Sequence, residues 1–111
     1  MADLFGNAIR STELERDFQA RVCELAVMLG WSVYSIPDSR RATVAGYPDL
    51  TMWHPKRQRF MLAELKRENG RVSPAQVKVI DDLRACGVEV HLWRPSDFDT
   101  TIVPILKGTD S

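Results

Sequence analysis

The chain has 111 residues, 44% of them hydrophobic, and its 15 lysines and arginines balance 15 aspartates and glutamates. That length fits one domain with a modest core, since most single domains hold roughly 100–150 residues. No apolar run approaches the ~20 residues of a membrane span, no signal-peptide core opens the chain, and two cysteines are too few for a disulfide scaffold. We therefore expect an intracellular protein of the cytoplasm.

Hydrophobic periodicity predicts the order helix, strand, strand, strand, helix, strand, helix. The first helix has apolar residues at spacings of three and four, starts near Thr12 and ends at Gly30. Later elements are strands at 31–36, 49–53 and 59–66, a helix at 73–87, a strand at 88–93, and a short helix from Ser96 that Pro104 should break or end. A hairpin followed by a strand–helix–strand crossover implies an α/β fold, a small mixed sheet flanked by helices.

Positive charge is concentrated in the middle of the chain. Residues 36–71 contain eight basic and four acidic residues and carry a formal charge of +4, whereas residues 1–35 and 72–111 each carry −2. Most of the basic residues are arginines, whose side chain is well matched to phosphate oxygens. The segment is therefore a candidate nucleic-acid surface, with a solvated loop surface as the alternative.

The predicted hairpin brings two carboxylates together. A turn centred near residue 56 pairs Asp49 with Glu64 on one face of the sheet, and Lys66 shares that face by strand alternation. Opposed carboxylates repel unless a cation lies between them, and Mg²⁺ prefers such oxygens. We expect Asp49 and Glu64 to hold the ion, with the Leu65 carbonyl as a third ligand. Lys66 would then orient or deprotonate the attacking water or neutralise phosphate charge, unless it is a plain ion-pair partner.

Two further polar residues have both a capping and a site interpretation. Glu15 follows Thr12 by three positions and Gln76 follows Ser73 by three, so each fits the reciprocal position of a capping box. Both would also lie in the first turn of a helix, where a side chain can reach a strand end. The sequence leaves the two roles open.

Several short motifs together resemble the VRR-NUC (virus-type replication-repair nuclease) domain of the PD-(D/E)XK nuclease superfamily. They are Glu15 in the first helix, Asp38-Ser39-Arg40-Arg41, Gly46-Tyr47-Pro48-Asp49, Glu64-Leu65-Lys66, Ser73-Pro74-Ala75-Gln76, Gly87-Val88 and Trp93-Arg94-Pro95-Ser96-Asp97. The resemblance spans residues 12–106, so one domain is expected over 1–111, similar to the standalone form found in phages and bacteria. Pro104 departs from the pattern in what should be the last helix.

The resemblance implies a restriction-endonuclease-like fold and a metal-dependent DNA endonuclease. By that resemblance Asp49 and Glu64 bind Mg²⁺ or Mn²⁺, Lys66 is the catalytic lysine, and Glu15 and Gln76 complete the site, Glu15 also at the metal. Expected DNA contacts come from Ser39, Arg40, Arg41, Tyr47, Arg67 and Arg71. The implied substrate is branched DNA such as repair and recombination intermediates, and the implied assembly is a homodimer with no membrane partner.

Two alternatives of other classes remain at this point. A DNA-binding module or partner subunit could use the basic segment 36–71 without cleaving anything. A hydrolase for a smaller phosphate ester would act on nucleotides and not on polymer. Opposed carboxylates next to a lysine favour the nuclease, since a pure binder of phosphates has no use for them.

Overall fold

A computed structural model describes residues 12–36 and 43–110. They form helix α1 (Glu15–Met28), strands β1 (Ser32–Ser35), β2 (Leu50–His54) and β3 (Arg59–Leu65), helix α2 (Pro74–Ala85), strand β4 (Glu89–Trp93) and helix α3 (Val103–Lys107). This order confirms the predicted one, with small shifts at the ends. In this part of the chain, no helix is both long enough and apolar enough to cross a bilayer.

The four strands form one mixed sheet in the order β1-β2-β3-β4. β1 and β3 are both antiparallel to β2, while β4 is parallel to β3. A parallel neighbour requires a crossover connection, and α2 supplies it. The hairpin and the strand–helix–strand unit predicted from the sequence are thus both present.

The helices cover the two faces of the sheet unequally. The larger core packs α1 and α3 against one face and consists of Phe18, Val22, Ala26, Trp31, Leu50, Met52, Met61, Ala63, Leu65, Trp93, Ile102, Ile105 and Leu106. A smaller cluster of Leu62, Ile80 and Val90 packs α2 against the other face. Because side chains alternate along a strand, Leu62 and Glu64 of β3 both point towards α2.

The start of α1 differs from the prediction. The residue before the helix is Leu14, which makes no side-chain capping bond, and Glu15 is the first helical residue. A Thr12–Glu15 capping box is therefore wrong, because Glu15 lies two positions too early in the helix to be its reciprocal member. The predicted end is correct: Gly30 has φ +95° and the Trp31 N–H donates to the Ala26 carbonyl over 2.9 Å.

Pro104 lies in the first turn of the last helix, contrary to the expectation that it would break or end it. A 3₁₀ turn (Pro95–Asp97) and a π-helical turn (Phe98–Ile102) precede α3, and Pro104 occupies its first turn. Proline is tolerated there because its missing N–H would have no helical partner. Ile105 and Leu106 follow it into the core, and the Leu106 carbonyl accepts a 2.9 Å bond from the Trp31 indole.

Candidate active site

The hairpin register places the two predicted carboxylates opposite each other. Leu50 pairs with Ala63 and Met52 with Met61, so Asp49 faces Glu64 at the next position. Directly opposed residues of an antiparallel pair share a face. The Leu65 N–H donates to Asp49 Oδ2 over 2.9 Å, which holds the aspartate against the end of β3. The face predicted from the turn position is correct.

Glu64 is buried and carries an unusually high pKa. Its exposed fraction is 2%, and burial together with the charge of Asp49 raises the pKa of its carboxyl to about 8, against the opposing effect of Lys66. The negative charge of Glu15 raises the pKa of Glu64 further. Two carboxylates brought together in a buried place repel each other unless a cation lies between them.

Gln76 makes the capping contact and the site contact at the same time. Ser73 Oγ accepts from the Gln76 N–H, and Gln76 Oε1 accepts from the Ser73 N–H over 2.9 Å, so the predicted capping box of α2 is present. The other end of the same amide, Nε2, donates to Glu64 Oε2 over 2.9 Å. The two roles do not compete, because an amide has an acceptor and a donor on opposite sides.

A glycine brings the loop before β2 against the start of α2. Gly46 has φ +89°, and a Cβ there would lie 2.6 Å from the Ala75 carbonyl oxygen and 2.7 Å from the Gln76 nitrogen. No other residue fits such a close approach in a left-handed conformation. The contact places the Asp49 end of β2 next to Gln76, and it explains the glycine of the Gly-Tyr-Pro-Asp motif.

Lys66 and Glu15 lie beside the pair. Lys66 Nζ is 4.0 Å from Glu64 Oε2, and its side chain is 15% exposed. Burial and then the charge of Asp49 raise the pKa of Glu15, while Lys66 and Arg67 lower it. The structure thus gathers all five predicted catalytic side chains at the end of the hairpin opposite its turn.

The donor set fits a divalent cation at Asp49 and Glu64. Glu64 Oε1 is buried and has no hydrogen-bond partner among the described residues. An orphaned carboxylate oxygen facing a second carboxylate is the arrangement that a cation would satisfy. Across residues 12–36 and 43–110, no three of His, Cys, Asp and Glu converge as a metal-holding group. Glu15 interacts with the pair through its charge, and its place at the metal stays a prediction.

The predicted DNA contacts are only partly described. Ser39, Arg40 and Arg41 lie outside the described residues. Arg67 and Arg71 are exposed on the loop after β3, and Tyr47 is 39% exposed two residues before Asp49.

The basic middle segment does not form one surface. Arg59, at the other end of the hairpin, binds Glu89 and Asp110 over 2.7 and 2.8 Å, and Arg57 binds the Leu106 carbonyl. Both arginines stabilise the packing of the C-terminal residues. The formal +4 of residues 36–71 therefore overstates the charge available at the carboxylates.

Sequence reasoning missed the part played by Arg94. Its Nη1 contacts the carbonyl oxygens of Arg67, Glu68 and Gly70, and the Ser96 N–H donates to the Glu68 carboxylate. The Trp-Arg-Pro-Ser-Asp motif was visible, but its contact with the loop 26 residues earlier depends on the parallel pairing of β3 and β4.

Comparison with known families agrees with this geometry. The chain matches the family model described as VRR-NUC domain over residues 12–96. The chain belongs to the VRR-NUC domain family. A solved VRR-NUC domain structure is also similar, with a TM-score of 0.59 and 28% sequence identity, covering 70% of this chain and 81% of that one. The resemblance read from the motifs is confirmed, and the chain is a nuclease domain by family.

Two curated relatives contain a similar stretch. Fanconi-associated nuclease 1 homolog of Schizosaccharomyces pombe is 37% identical over 54 residues, which is 42% of this chain and 8% of that protein. Fanconi-associated nuclease 1 of Danio rerio is 27% identical over 97 residues, 67% of this chain and 10% of that protein. This VRR-NUC domain therefore spans a tenth or less of the length of these relatives.

Proposed function

We propose that this VRR-NUC domain is a Mg²⁺- or Mn²⁺-dependent DNA endonuclease that hydrolyses phosphodiester bonds. The observation that carries the proposal is the buried Glu64, which has an unpartnered Oε1 and lies opposite Asp49 in a domain of a nuclease family. A purely structural role does not explain this arrangement, because two opposed carboxylates repel each other in a buried site and so destabilise the fold.

Each side chain has a definite task in this proposal. Asp49 and Glu64 would hold the metal, with the Leu65 carbonyl as a third oxygen ligand. When bound, the metal would supply Lewis-acid polarisation of the phosphodiester and a more acidic water. Lys66, 4.0 Å from Glu64, would orient the attacking water and neutralise charge that develops on the phosphate. Gln76 fixes the Glu64 carboxylate, and Glu15 adds negative charge at the edge of the site.

The chemistry proposed is a single displacement. The water oxygen forms a bond to phosphorus as the bond from phosphorus to the leaving sugar oxygen breaks. A covalent enzyme intermediate would need a nucleophile activated by a nearby base. The chain has two histidines, and both are occupied elsewhere: His54 Nε2 contacts the Leu29 carbonyl and His91 Nε2 contacts Glu89.

We extend the proposal to branched DNA as substrate and to a homodimer as the active form. A domain of this size covers few base pairs on its own, so a second copy would let two strands be engaged together. The names of the relatives, Fanconi-associated nuclease 1 and its homolog, agree with a nuclease. Comparison of forked, flapped, four-way and linear duplex DNA, with sedimentation of the protein alone and on each DNA, tests both extensions.

The decisive experiment compares wild type with Asp49→Asn and with a control, Asp81→Asn, which makes the same change on the exposed side of α2. Asp49→Asn is expected to lower Mg²⁺-dependent cleavage by at least about a hundredfold, because it removes one of two charged ligands, while the control cleaves like wild type. Calorimetry with Mn²⁺ should show binding to the wild type that Asp49→Asn weakens.

Three outcomes contradict the proposal. Equal cleavage by wild type and Asp49→Asn would remove the assigned site. Salt-sensitive DNA binding by the wild type without product on any substrate would instead identify the non-catalytic binding module. Cleavage of nucleotides alone would identify a small-ester hydrolase.

A further inference from the structure

The loop that follows β3 is bound by one arginine that lies outside the loop. Residues 67–70 form a turn closed by a 3.0 Å bond from the Gly70 N–H to the Arg67 carbonyl. Arg94 Nη1 lies 2.7, 3.1 and 2.8 Å from the carbonyl oxygens of Arg67, Glu68 and Gly70. Three carbonyl oxygens that converge produce a strongly negative pocket, and a guanidinium, which has only donors, satisfies it.

A second contact fixes the one acidic side chain of this loop. The Ser96 N–H donates to Glu68 Oε1 over 2.9 Å, and the Arg94 N–H donates to Asp97 Oδ2 over 2.8 Å. The carboxylate of Glu68 is thereby directed to the backbone after β4. The Glu68 carboxylate is therefore bound to Ser96, while Arg67, the first residue of the loop, has an exposed side chain.

The loop connects Arg94 to the proposed active site. Its first residue, Arg67, is bound by Arg94 through the main-chain carbonyl and directly follows Lys66 of the proposed site. Lys66, the residue before, is anchored to β4 by a 3.0 Å bond from its N–H to the Trp93 carbonyl. Arg94 therefore helps to fix the main chain at the point from which the Arg67 side chain projects.

We propose that Arg94 is a positioning residue for phosphate binding, which acts through Arg67 and does not itself touch the DNA. This inference rests on the proposed nuclease function. Arg94 holds the main chain from 67 to 70 in place before DNA binds. The backbone of this loop therefore loses less conformational entropy when Arg67 binds a phosphate. Loss of Arg94 should therefore weaken DNA binding and leave the chemical step, which depends on Asp49, Glu64 and Lys66, almost unchanged.

The test uses Arg94→Ala with Arg84→Ala as a matched control. Arg84 also binds a main-chain carbonyl, that of Val90, over 2.8 Å, but from the far end of α2. Arg94→Ala is expected to raise KM for DNA roughly tenfold, the effect of losing one charged hydrogen bond, with kcat changed less than about threefold. It should also speed hydrogen exchange at residues 67–70. Arg84→Ala should change neither KM nor hydrogen exchange. Arg94→Lys keeps the charge but not the planar guanidinium, so its KM should lie between those of the wild type and Arg94→Ala.

A double-mutant cycle with Arg67 separates positioning from general stability. If Arg94 acts through Arg67, adding Arg94→Ala to Arg67→Ala should change KM by less than about twofold. Additive losses, or an Arg94→Ala protein with the KM of the wild type, would overturn the inference while the nuclease assignment stands. A wild type that neither binds nor cuts DNA would overturn the proposed function first, and the inference with it.

Discussion

Gln76 Nε2 donates a 2.9 Å hydrogen bond to Glu64 Oε2, and this contact joins the start of α2 to the middle of the proposed site. The orientation of the Gln76 amide follows from its neighbours. The Ser73 N–H requires an acceptor, so the amide oxygen faces Ser73 and the NH₂ group faces the carboxylate. A helix cap thus fixes a buried acidic side chain that has no other protein donor within 3.5 Å in the described residues.

Replacing Gln76 should affect stability and activity together, whereas replacing Ser73 should affect stability alone. Ser73→Ala removes the capping acceptor and should lower the free energy of unfolding by about 1 kcal/mol, with Gln76 still bound to Glu64. Gln76→Ala should cost a similar amount and also slow cleavage by roughly tenfold, because Glu64 loses its donor. Thermal denaturation and single-turnover cleavage measure the two effects. The same loss of cleavage in both variants would contradict the separate roles.

The high pKa of Glu64 predicts how the stability of the metal-free protein depends on pH. The folded carboxyl has a pKa of about 8, against an ordinary value of 4.5, so folding takes up a proton between these values. The contribution of Glu64 to the free energy of unfolding is therefore complete below about pH 4.5 and is lost as the pH rises towards 8. Glu64→Gln, which cannot ionise, should show a smaller decrease in stability over this range.

Chemical denaturation in the presence of a chelator at several pH values measures this slope, the change in the free energy of unfolding per pH unit. Asp49→Asn serves as the second variant, because removal of its charge takes away one cause of the raised pKa and should reduce the slope in part. A Glu64→Gln protein with the slope of the wild type would show that Glu64 is not the group that titrates.

Lys66 should be needed for the chemical step and not for metal binding. Lys66→Ala is expected to reduce cleavage by roughly 10²–10⁴-fold at saturating metal, the range found when a proton-transfer or charge-neutralising group is removed. Mn²⁺ calorimetry should still show binding, weakened at neutral pH because the variant lacks the positive charge that lowers the pKa of Glu64. Lys78→Ala is the control, since Lys78 pairs with Asp82 on the exposed surface of α2. Retained cleavage in Lys66→Ala would reduce this residue to an ion-pair partner of Glu64.

Gly46 and Gly87 offer a comparison that isolates close packing from backbone strain. Both have a positive φ, +89° and +85°, but a Cβ on Gly46 would lie 2.6 Å from the Ala75 main chain, while one on Gly87 meets nothing within 4 Å. Gly87→Ala should therefore cost about 1 kcal/mol of strain. Gly46→Ala should cost more and should slow cleavage, because the Asp49 end of β2 moves away from α2. Equal destabilisation by the two variants would contradict the close-packing explanation.

Local sequence patterns were enough to predict the order of elements, the register of the hairpin and hence the pairing of Asp49 with Glu64. Those features follow from local periodicity, from a short turn and from the strict alternation of side chains along a strand. The start of α2 was equally readable, because capping chemistry lies within four consecutive residues, Ser73 to Gln76. The helical role of Pro104 was misread, since its tolerance depends on the irregular turns before it.

Local patterns could not predict how residues far apart in the chain share their hydrogen bonds. Three such contacts depend on packing between elements far apart in the chain. Gln76 binds both Ser73 and Glu64. Arg57 and Arg59 hold the C-terminal residues, and Arg94 holds the loop after β3. A sequence specifies which donors and acceptors exist. Their partners are fixed when burial removes water as the alternative partner, and this happens only in the folded protein.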